Sequence, residues 1–209
     1  VVEGRLGEQR LVTMASGDGA TRACRGLESL IDDFDMAAVF AIGIAGGLSA
    51  DLEVGDVVVA GRVTDGEGAV PAPDDVWRAR ARGLEGVVEG SVHSHHEIAI
   101  DPVAKGRLWN QIGRTESQVV DLESASYARV AAARQVPFLV LRAVSDSATE
   151  ALPLDFNRFR RSDGSSDRWA VARHTILHPS IVPELVQLRE RLRFCARRLA
   201  LLITEMLSR

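Results

Sequence analysis

Two apolar runs of this sequence end in acidic residues that could act together on one bond. The stretch "VVDLESAS" (119–126) carries Glu123, and "VLRAVSDSA" (140–148) carries Asp146. An ionised carboxylate can accept hydrogen bonds from a vicinal diol, and a protonated one can donate to a leaving group. Such a pair suits cleavage of a ribosyl–purine bond, because a nearby carboxylate stabilises the positive charge that develops on the sugar.

Each acid also has a purely structural interpretation. Glu123 would lie in the first turn of a predicted helix, where the helix dipole favours a negative charge. Ser145 or Asp146 could be the N-cap of a following helix, with Ser147 and Glu150 spaced as a capping box. The spacing of the residues leaves both interpretations open.

The elements that must position these acids alternate between short apolar runs and longer amphipathic ones. The predicted strands are 9–15, 36–45, 57–63, 118–122 and 137–144, with a weaker one at 86–93 or 97–100. The predicted helices are 21–32, 74–83, a segment that begins at Pro102 with Asp101 as N-cap, 124–134 and 180–208. This alternation predicts an α/β fold with three layers, α/β/α, around a mixed, mostly parallel sheet. The 209 residues, 46% of them hydrophobic, fit one domain over 1–209.

We expect strand 118–122, helix 124–134 and strand 137–144 to form one right-handed parallel crossover unit. Glu123 and Asp146 would then lie at the same edge of the sheet, where ligands bind in open α/β folds. The glycine-rich segment "GIAGG" (43–47) spans the end of the third predicted strand and the start of the loop after it, so it belongs at the same edge. Its small residues would let backbone N–H groups approach a ligand closely.

Composition excludes several classes of function. The net charge is −4, with 25 basic and 29 acidic residues, whereas a general nucleic-acid binder carries a basic excess. The two cysteines, Cys24 and Cys195, lie far apart, and without a secretion signal they favour a reducing cytoplasm. No stretch approaches the roughly 20 apolar residues that a membrane span needs. No G-x-G-x-x-G motif supports a dinucleotide-binding domain.

The histidine cluster "HSHH" (93–96) does not predict a metal site. It has no obvious carboxylate or cysteine partner to complete a set of three or four ligands. A solvated loop is favoured, followed by a contact of His95 or His96 with a bound base. We therefore expect neither a metal nor another cofactor.

The predicted helix 180–208 carries an apolar stripe flanked by arginines. The stripe consists of Ile181, Leu185, Leu188, Leu192, Cys195, Leu199, Leu202 and Met206. Such a stripe usually packs against a core or an interface. The arginines could instead face an anionic membrane surface, which would suit a lipid-linked substrate.

Three segments together resemble the nucleoside phosphorylase and methylthioadenosine/S-adenosylhomocysteine nucleosidase superfamily. They are "GIAGGLSADLEVGDVVVA" (43–60), "VVDLESASYARVAAARQVPFLVLRAVSDSA" (119–148) and "SGDGATRA" (16–23). The resemblance implies a purine nucleoside substrate, a 5′-modified adenosine, and a homo-oligomer. The region after 150 is similar to the hopanoid-associated phosphorylase subgroup, which implies release of adenine from adenosylhopane and a place at the inner membrane face.

The resemblance also implies roles for individual residues. Glu123 matches the glutamate that holds the ribose hydroxyls, and Asp146 matches the aspartate that protonates the purine. The residues expected to bind the substrate around them are Ala45, Gly46 and Gly47 on the ribose side, Leu122 near the sugar, Ser145 beside Asp146, and His96, Glu97 and Ile98 near the base.

Two departures from the family pattern bear on the reaction. Purine phosphorylases carry an arginine and a serine or threonine where this sequence has Ala41 and Ile44, so part of a phosphate site is lost and hydrolysis is favoured over phosphorolysis. Family members also begin with a strand and loop whose glutamate positions the attacking water, and no counterpart precedes Val1. Either that segment is missing from this sequence or water activation is lost. The alternative is therefore a nucleoside-binding protein without catalysis.

Overall fold

The computed structural model describes residues 1–16, 19–161 and 167–208. The strands are β1 (Val2–Leu6), β2 (Gln9–Thr13), β3 (Val39–Gly47), β4 (Val57–Thr64), β5 (Val87–Ser94), β6 (Gln118–Asp121) and β7 (Phe138–Asp146). The helices are α1 (Ala20–Asp33), α2 (Asp75–Arg82), α3 (Pro102–Ile112), α4 (Ser124–Ala133), α5 (Arg168–Leu177) and α6 (Val182–Ser208), with 3-10 helices at Phe156–Phe159 and Pro179–Ile181.

Five strands of the described chain close into a barrel in the order β3-β6-β5-β4-β7. The pairs β3–β7, β4–β5 and β5–β6 are parallel, whereas β3–β6 and β4–β7 are antiparallel. The predicted α/β fold with a mixed, mostly parallel sheet flanked by helices is therefore confirmed. The sheet is closed, not open, because β7 pairs with both β3 and β4. Strands β1 and β2 form a separate antiparallel sheet.

The predicted parallel crossover unit β6–α4–β7 is wrong. Strand β3 lies between β6 and β7, and it runs parallel to β7 but antiparallel to β6. A register shift between Ala45 and Gly46 lets the end of β3 reach both neighbours, so that Gly46 pairs with Val120 on one side and Asp146 on the other. This bulge brings the ends of β6 and β7 together although the strands are not adjacent.

Helices cover both faces of the sheet, as the alternation of side chains along β4 illustrates. Val57 and Val59 belong to a buried cluster that includes residues of α2 and α6. Val58 and Ala60 belong to a second cluster, which includes residues of α1 and α4. Because successive side chains of a strand point to opposite faces, each helical layer packs on its own set of strand residues.

The C-terminal half of helix α6 packs against the core, as its apolar stripe predicts. Its buried residues are Cys195, Leu199, Leu202 and Met206. No helix within the described ranges combines the length and the apolar character needed to cross a membrane.

Two segments differ from the sequence-based predictions. Of the two candidates for the weaker strand, 86–93 corresponds to β5, and 97–100 is irregular. Helix α5 was not expected, because the stretch 158–168 before it is polar and suggested a loop. Residues 162–166 of that stretch lie outside the described residues.

Candidate active site

A cavity of about 290 Å³ lies where β3, β6 and β7 end. This volume is close to the lower end of the roughly 300–1,000 Å³ typical of small-molecule sites. Its walls come from strand ends, the loop after β5, the 3-10 helix at Phe156–Phe159 and the first half of α6. They consist of Ile44, Ala45, Gly46, Glu97, Ile98, Ala99, Val120, Asp121, Leu122, Glu123, Ser145, Asp146, Leu152, Phe156, Arg160, Leu188 and Leu192.

Most residues that the sequence indicated for a site line this cavity. Those brought together are Glu123, Asp146, Ala45, Gly46, Leu122, Ser145, Glu97 and Ile98. Gly47 and His96 are not among the lining residues. Gly47 faces the main chain of Asp146, where an added Cβ would lie 3.3 Å from the carbonyl oxygen. His96 takes part through its backbone, since its carbonyl accepts a 2.5 Å hydrogen bond from Arg160.

Glu123 occupies the N-cap position of α4, but its side chain does not cap the helix. That task falls to Asp121, whose carboxylate accepts hydrogen bonds from the backbone N–H of Ser124 at 3.2 and 3.3 Å. The carboxylate of Glu123 lines the cavity, and its Oε1 accepts a 2.8 Å hydrogen bond from the N–H of Gly19. Glu123 thus lies at the N-terminus of α4, where the helix dipole favours an acid, but its side chain makes no capping hydrogen bond.

Asp121 also forms a buried ion pair next to the site. Arg142 of β7 lies 2.6 Å from Asp121, and the two side chains are only 5% and 2% exposed. Ser124 accepts hydrogen bonds from Arg142 at 2.9 and 3.1 Å, and Ser94 donates to Asp121 at 2.7 Å. Arg142, which interrupts an apolar strand, thus finds its partner across the sheet.

The glycines of "GIAGG" leave space for charged side chains of β7. The loop was expected to begin at Gly46, but the structure places both Gly46 and Gly47 within β3. A Cβ added to Gly43 would lie 2.0 Å from Nη1 of Arg142, and one added to Gly46 would lie 3.2 Å from Oδ2 of Asp146. A side chain at either position would displace ionic side chains of β7 that pass close to the backbone of β3.

Asp146 is the last residue of β7, and a turn follows it instead of a helix. Ser147 and Glu150 do contact each other, through a 3.0 Å hydrogen bond from the Ser147 N–H to the Glu150 carboxylate. No helix begins at this point, so the interpretation of Asp146 as an N-cap is wrong. Its Oδ1 accepts a 2.6 Å hydrogen bond from Ser145, and its Oδ2 lies 2.5 Å from the ammonium of Lys105.

The family model described as "Phosphorylase superfamily" matches residues 1–176 of this chain. That match covers most of the 209 residues. The chain belongs to this superfamily.

Relatives within the phosphorylase superfamily agree with this assignment. The 5′-methylthioadenosine/S-adenosylhomocysteine nucleosidase of Exiguobacterium sp. is 30% identical over 177 residues, 75% of this chain and 76% of the relative. The enzyme of the same name from Glaesserella parasuis is 28% identical over 178 residues, 76% of this chain and 77% of the relative. The Neisseria meningitidis nucleosidase in complex with methylthio-immucillin-A superposes with a TM-score of 0.72 at 23% identity, covering 98% of this chain and 84% of the other, and confirms the fold.

Several residues of this superfamily member were missed by the sequence analysis. Leu188 and Leu192 were assigned to the packing stripe of α6, yet they line the cavity together with Leu152, Phe156 and Arg160. Their helical spacing is the same as that of the core residues that follow, so the sequence gives no sign of where packing ends and the cavity begins. Nε of Arg160 is buried without a hydrogen-bond partner among the described residues.

The loop after β5 and the 3-10 helix are joined across the cavity wall by Asn157. Its side-chain amide accepts from the N–H of Ile98 at 2.8 Å and donates to the carbonyl of Ile98 at 2.9 Å. This paired contact fixes the position of the loop that carries Glu97 and Ile98.

Two histidines of "HSHH", His93 and His95, have environments that favour neutral rings. Burial lowers the pKa of His93, and the neighbouring His95 lowers it further, while His93 Nδ1 lies 2.9 Å from the hydroxyl of Thr64. Burial also lowers the pKa of His95, which packs on His96 at a ring distance of 4.2 Å. Within the described chain no group of three or more His, Cys, Asp or Glu side chains is arranged to hold a metal ion.

Proposed function

We propose that this protein hydrolyses the N-glycosidic bond of a 5′-modified adenosine, with Glu123 on the ribose hydroxyls and Asp146 at the purine. The observation that carries the proposal is that both carboxyl groups line one cavity whose volume suits a nucleoside. The coarser activity follows from the family. The relatives are nucleosidases, and this protein is likewise an enzyme that cleaves the N-glycosidic bond of a purine nucleoside.

Glu123 is suited to the sugar because an ionised carboxylate only accepts hydrogen bonds. The 2′ and 3′ hydroxyls of a ribose are two neighbouring donors, and each carboxylate oxygen can accept more than one hydrogen bond. The hydrogen bond from the Gly19 N–H holds Oε1 in place. As the glycosidic bond breaks, the sugar becomes positively charged, and the same carboxylate stabilises it.

Asp146 is suited to the leaving group. A departing purine is a poor anion unless a ring nitrogen is protonated, so an acid beside the base lowers the barrier to bond cleavage. Ser145 and Lys105 hold the two oxygens of Asp146, which lines the cavity and whose side chain is only 7% exposed. We assign the delivery of this proton to Asp146.

The apolar side chains of the cavity wall favour a substrate with an apolar substituent at the 5′ position. Leu152, Phe156, Leu188 and Leu192 line the same cavity as the two acids. A methylthio group or another hydrocarbon substituent would bury its surface against them. The hopanoid-linked adenosine implied by the C-terminal region is one such substrate.

Hydrolysis and phosphorolysis differ in what the cavity must bind. Ile44 lines the cavity where a phosphate-binding hydroxyl would be expected, which favours water as the nucleophile. Phosphorolysis is the second candidate, because Arg160 brings a guanidinium to the cavity and its Nε has no hydrogen-bond partner among the described residues.

The test is the release of adenine from 5′-methylthioadenosine, measured with and without phosphate. We expect adenine and free 5-methylthioribose at the same rate in both conditions. S-adenosylhomocysteine, whose 5′ group is charged, should have a higher KM than the methylthio substrate because the wall is apolar. A phosphorylated sugar product would select phosphorolysis, and binding of the nucleoside without release of adenine would select the non-catalytic alternative.

A further inference from the structure

Lys105 is the only lysine among the 25 basic residues of the sequence, and all the others are arginines. It lies on α3 and is fully buried. Its ammonium contacts Oδ2 of Asp146 at 2.5 Å and donates to the carbonyls of Ser147 at 2.6 Å and Glu150 at 2.9 Å. These contacts use all three N–H donors of a lysine.

Burying an ammonium group costs folding free energy, so its presence here suggests a function. Removing a charged group from water costs several kcal/mol, and the attraction to a partner offsets this cost only with good geometry and full hydrogen bonding. A methionine would fill the same space on the buried face of α3, next to Leu108, without that cost. All of the favourable contacts of the ammonium are to the end of β7 and the turn after it.

The effect of these contacts is to fix the orientation of one carboxyl group. The terminal torsion of an aspartate is soft, so the plane of its carboxyl group is easily rotated. At Asp146 the hydroxyl of Ser145 holds Oδ1 at 2.6 Å and Lys105 holds Oδ2. Lys105 also donates to the carbonyls of Ser147 and Glu150, so one ammonium group connects the carboxyl group of Asp146 to the turn that follows it.

We propose that Lys105 is a positioning residue for the reaction, holding the carboxyl group of Asp146 in the orientation that meets the purine. It does not line the cavity and acts only through Asp146. The proposal rests on the proposed function. Supporting partners of a site residue typically contribute about 10- to 100-fold to activity, because small errors of placement at the reacting atoms are costly.

A double-mutant cycle of Lys105→Met, Asp146→Asn and the combined variant tests this role. We expect Lys105→Met to lower kcat about 10- to 100-fold with KM changed less than about threefold, and Lys105→Arg to restore part of kcat. With Asp146→Asn already present, adding Lys105→Met should change the residual kcat by less than about twofold. Arg107→Met, an exposed change on the same helix, is the matched control and should leave kcat unchanged.

Two results would overturn the proposal. One is a kcat of folded Lys105→Met within twofold of the parent protein. The other is an equal loss from Lys105→Met in both backgrounds, which would indicate a general structural role. If the parent protein itself releases no adenine, the proposed function fails instead.

A spectroscopic measurement covers the case in which Lys105→Met does not fold. Because the chain has one lysine, ¹⁵N-lysine labelling gives a single side-chain ammonium resonance. We expect it to exchange slowly with solvent and to shift in Asp146→Asn and on nucleoside binding. An unchanged resonance in Asp146→Asn would contradict the contact.

Discussion

Replacing Asp146 by asparagine should lower kcat for adenine release by about 10²- to 10⁴-fold, or roughly 3–5 kcal/mol of transition-state stabilisation. The asparagine side chain cannot supply a proton to the purine. Its carbonyl oxygen can still accept a hydrogen bond from Lys105, and its shape is the same. The variant should therefore fold and bind the nucleoside, so the loss should be found in kcat and not in KM.

Asp75→Asn is the matched control, because the side chain of Asp75 is 84% exposed on α2 and lies outside the cavity. It should leave both kcat and KM unchanged. Steady-state assays of adenine release and a calorimetric titration with nucleoside compare the two variants. Turnover by Asp146→Asn at the parental rate would remove Asp146 from the mechanism.

Replacing Arg142 by methionine should cause the largest loss of stability. The change leaves the carboxylate of Asp121 buried without a counter-ion, and breaking such a pair typically costs about 3–5 kcal/mol. For a chain of this size the loss corresponds to a decrease in Tm of roughly 6–20 °C. Because Asp121 caps α4 just before Glu123, activity should fall as well.

The double variant Arg142→Met/Asp121→Asn should recover more than half of that loss. An asparagine at 121 removes the unpaired charge and can still cap α4. Arg134→Met is the control, since Arg134 pairs with Asp32 on the surface, where ion pairs contribute little to stability. Thermal and chemical unfolding measure all three. Equal stability of Arg142→Met and Arg134→Met would show that the buried pair does not stabilise the fold.

The convergence of Glu123 and Asp146 could be predicted from their positions at the ends of apolar runs, but not for the right reason. The runs predicted two parallel strands joined by a helix. The structure inserts β3 between them, and a bulge at Gly46 brings their ends together. Strand order is set by contacts between segments far apart in sequence, and local periodicity carries no information about those contacts.

The different roles of the two acids of "DLES" could not be predicted from the sequence either. Asp121 and Glu123 lie on either side of Leu122, and either could have capped α4. The buried guanidinium of Arg142 pairs with Asp121, and this pair determines which of the two acids caps α4. Lys105 had a visible signal, namely a charged residue on the same helical face as Leu108 and the only lysine in the chain. Its partner could be identified only from the fold.

A crystal structure of Asp146→Asn with 5′-methylthioadenosine tests the central claim most directly. We predict that both ribose hydroxyls lie about 3 Å from the carboxylate of Glu123, that a purine ring nitrogen faces the side chain at 146, and that the methylthio group contacts Leu188 and Leu192. A nucleoside bound elsewhere, or bound in this cavity with its hydroxyls turned away from Glu123, would contradict the account.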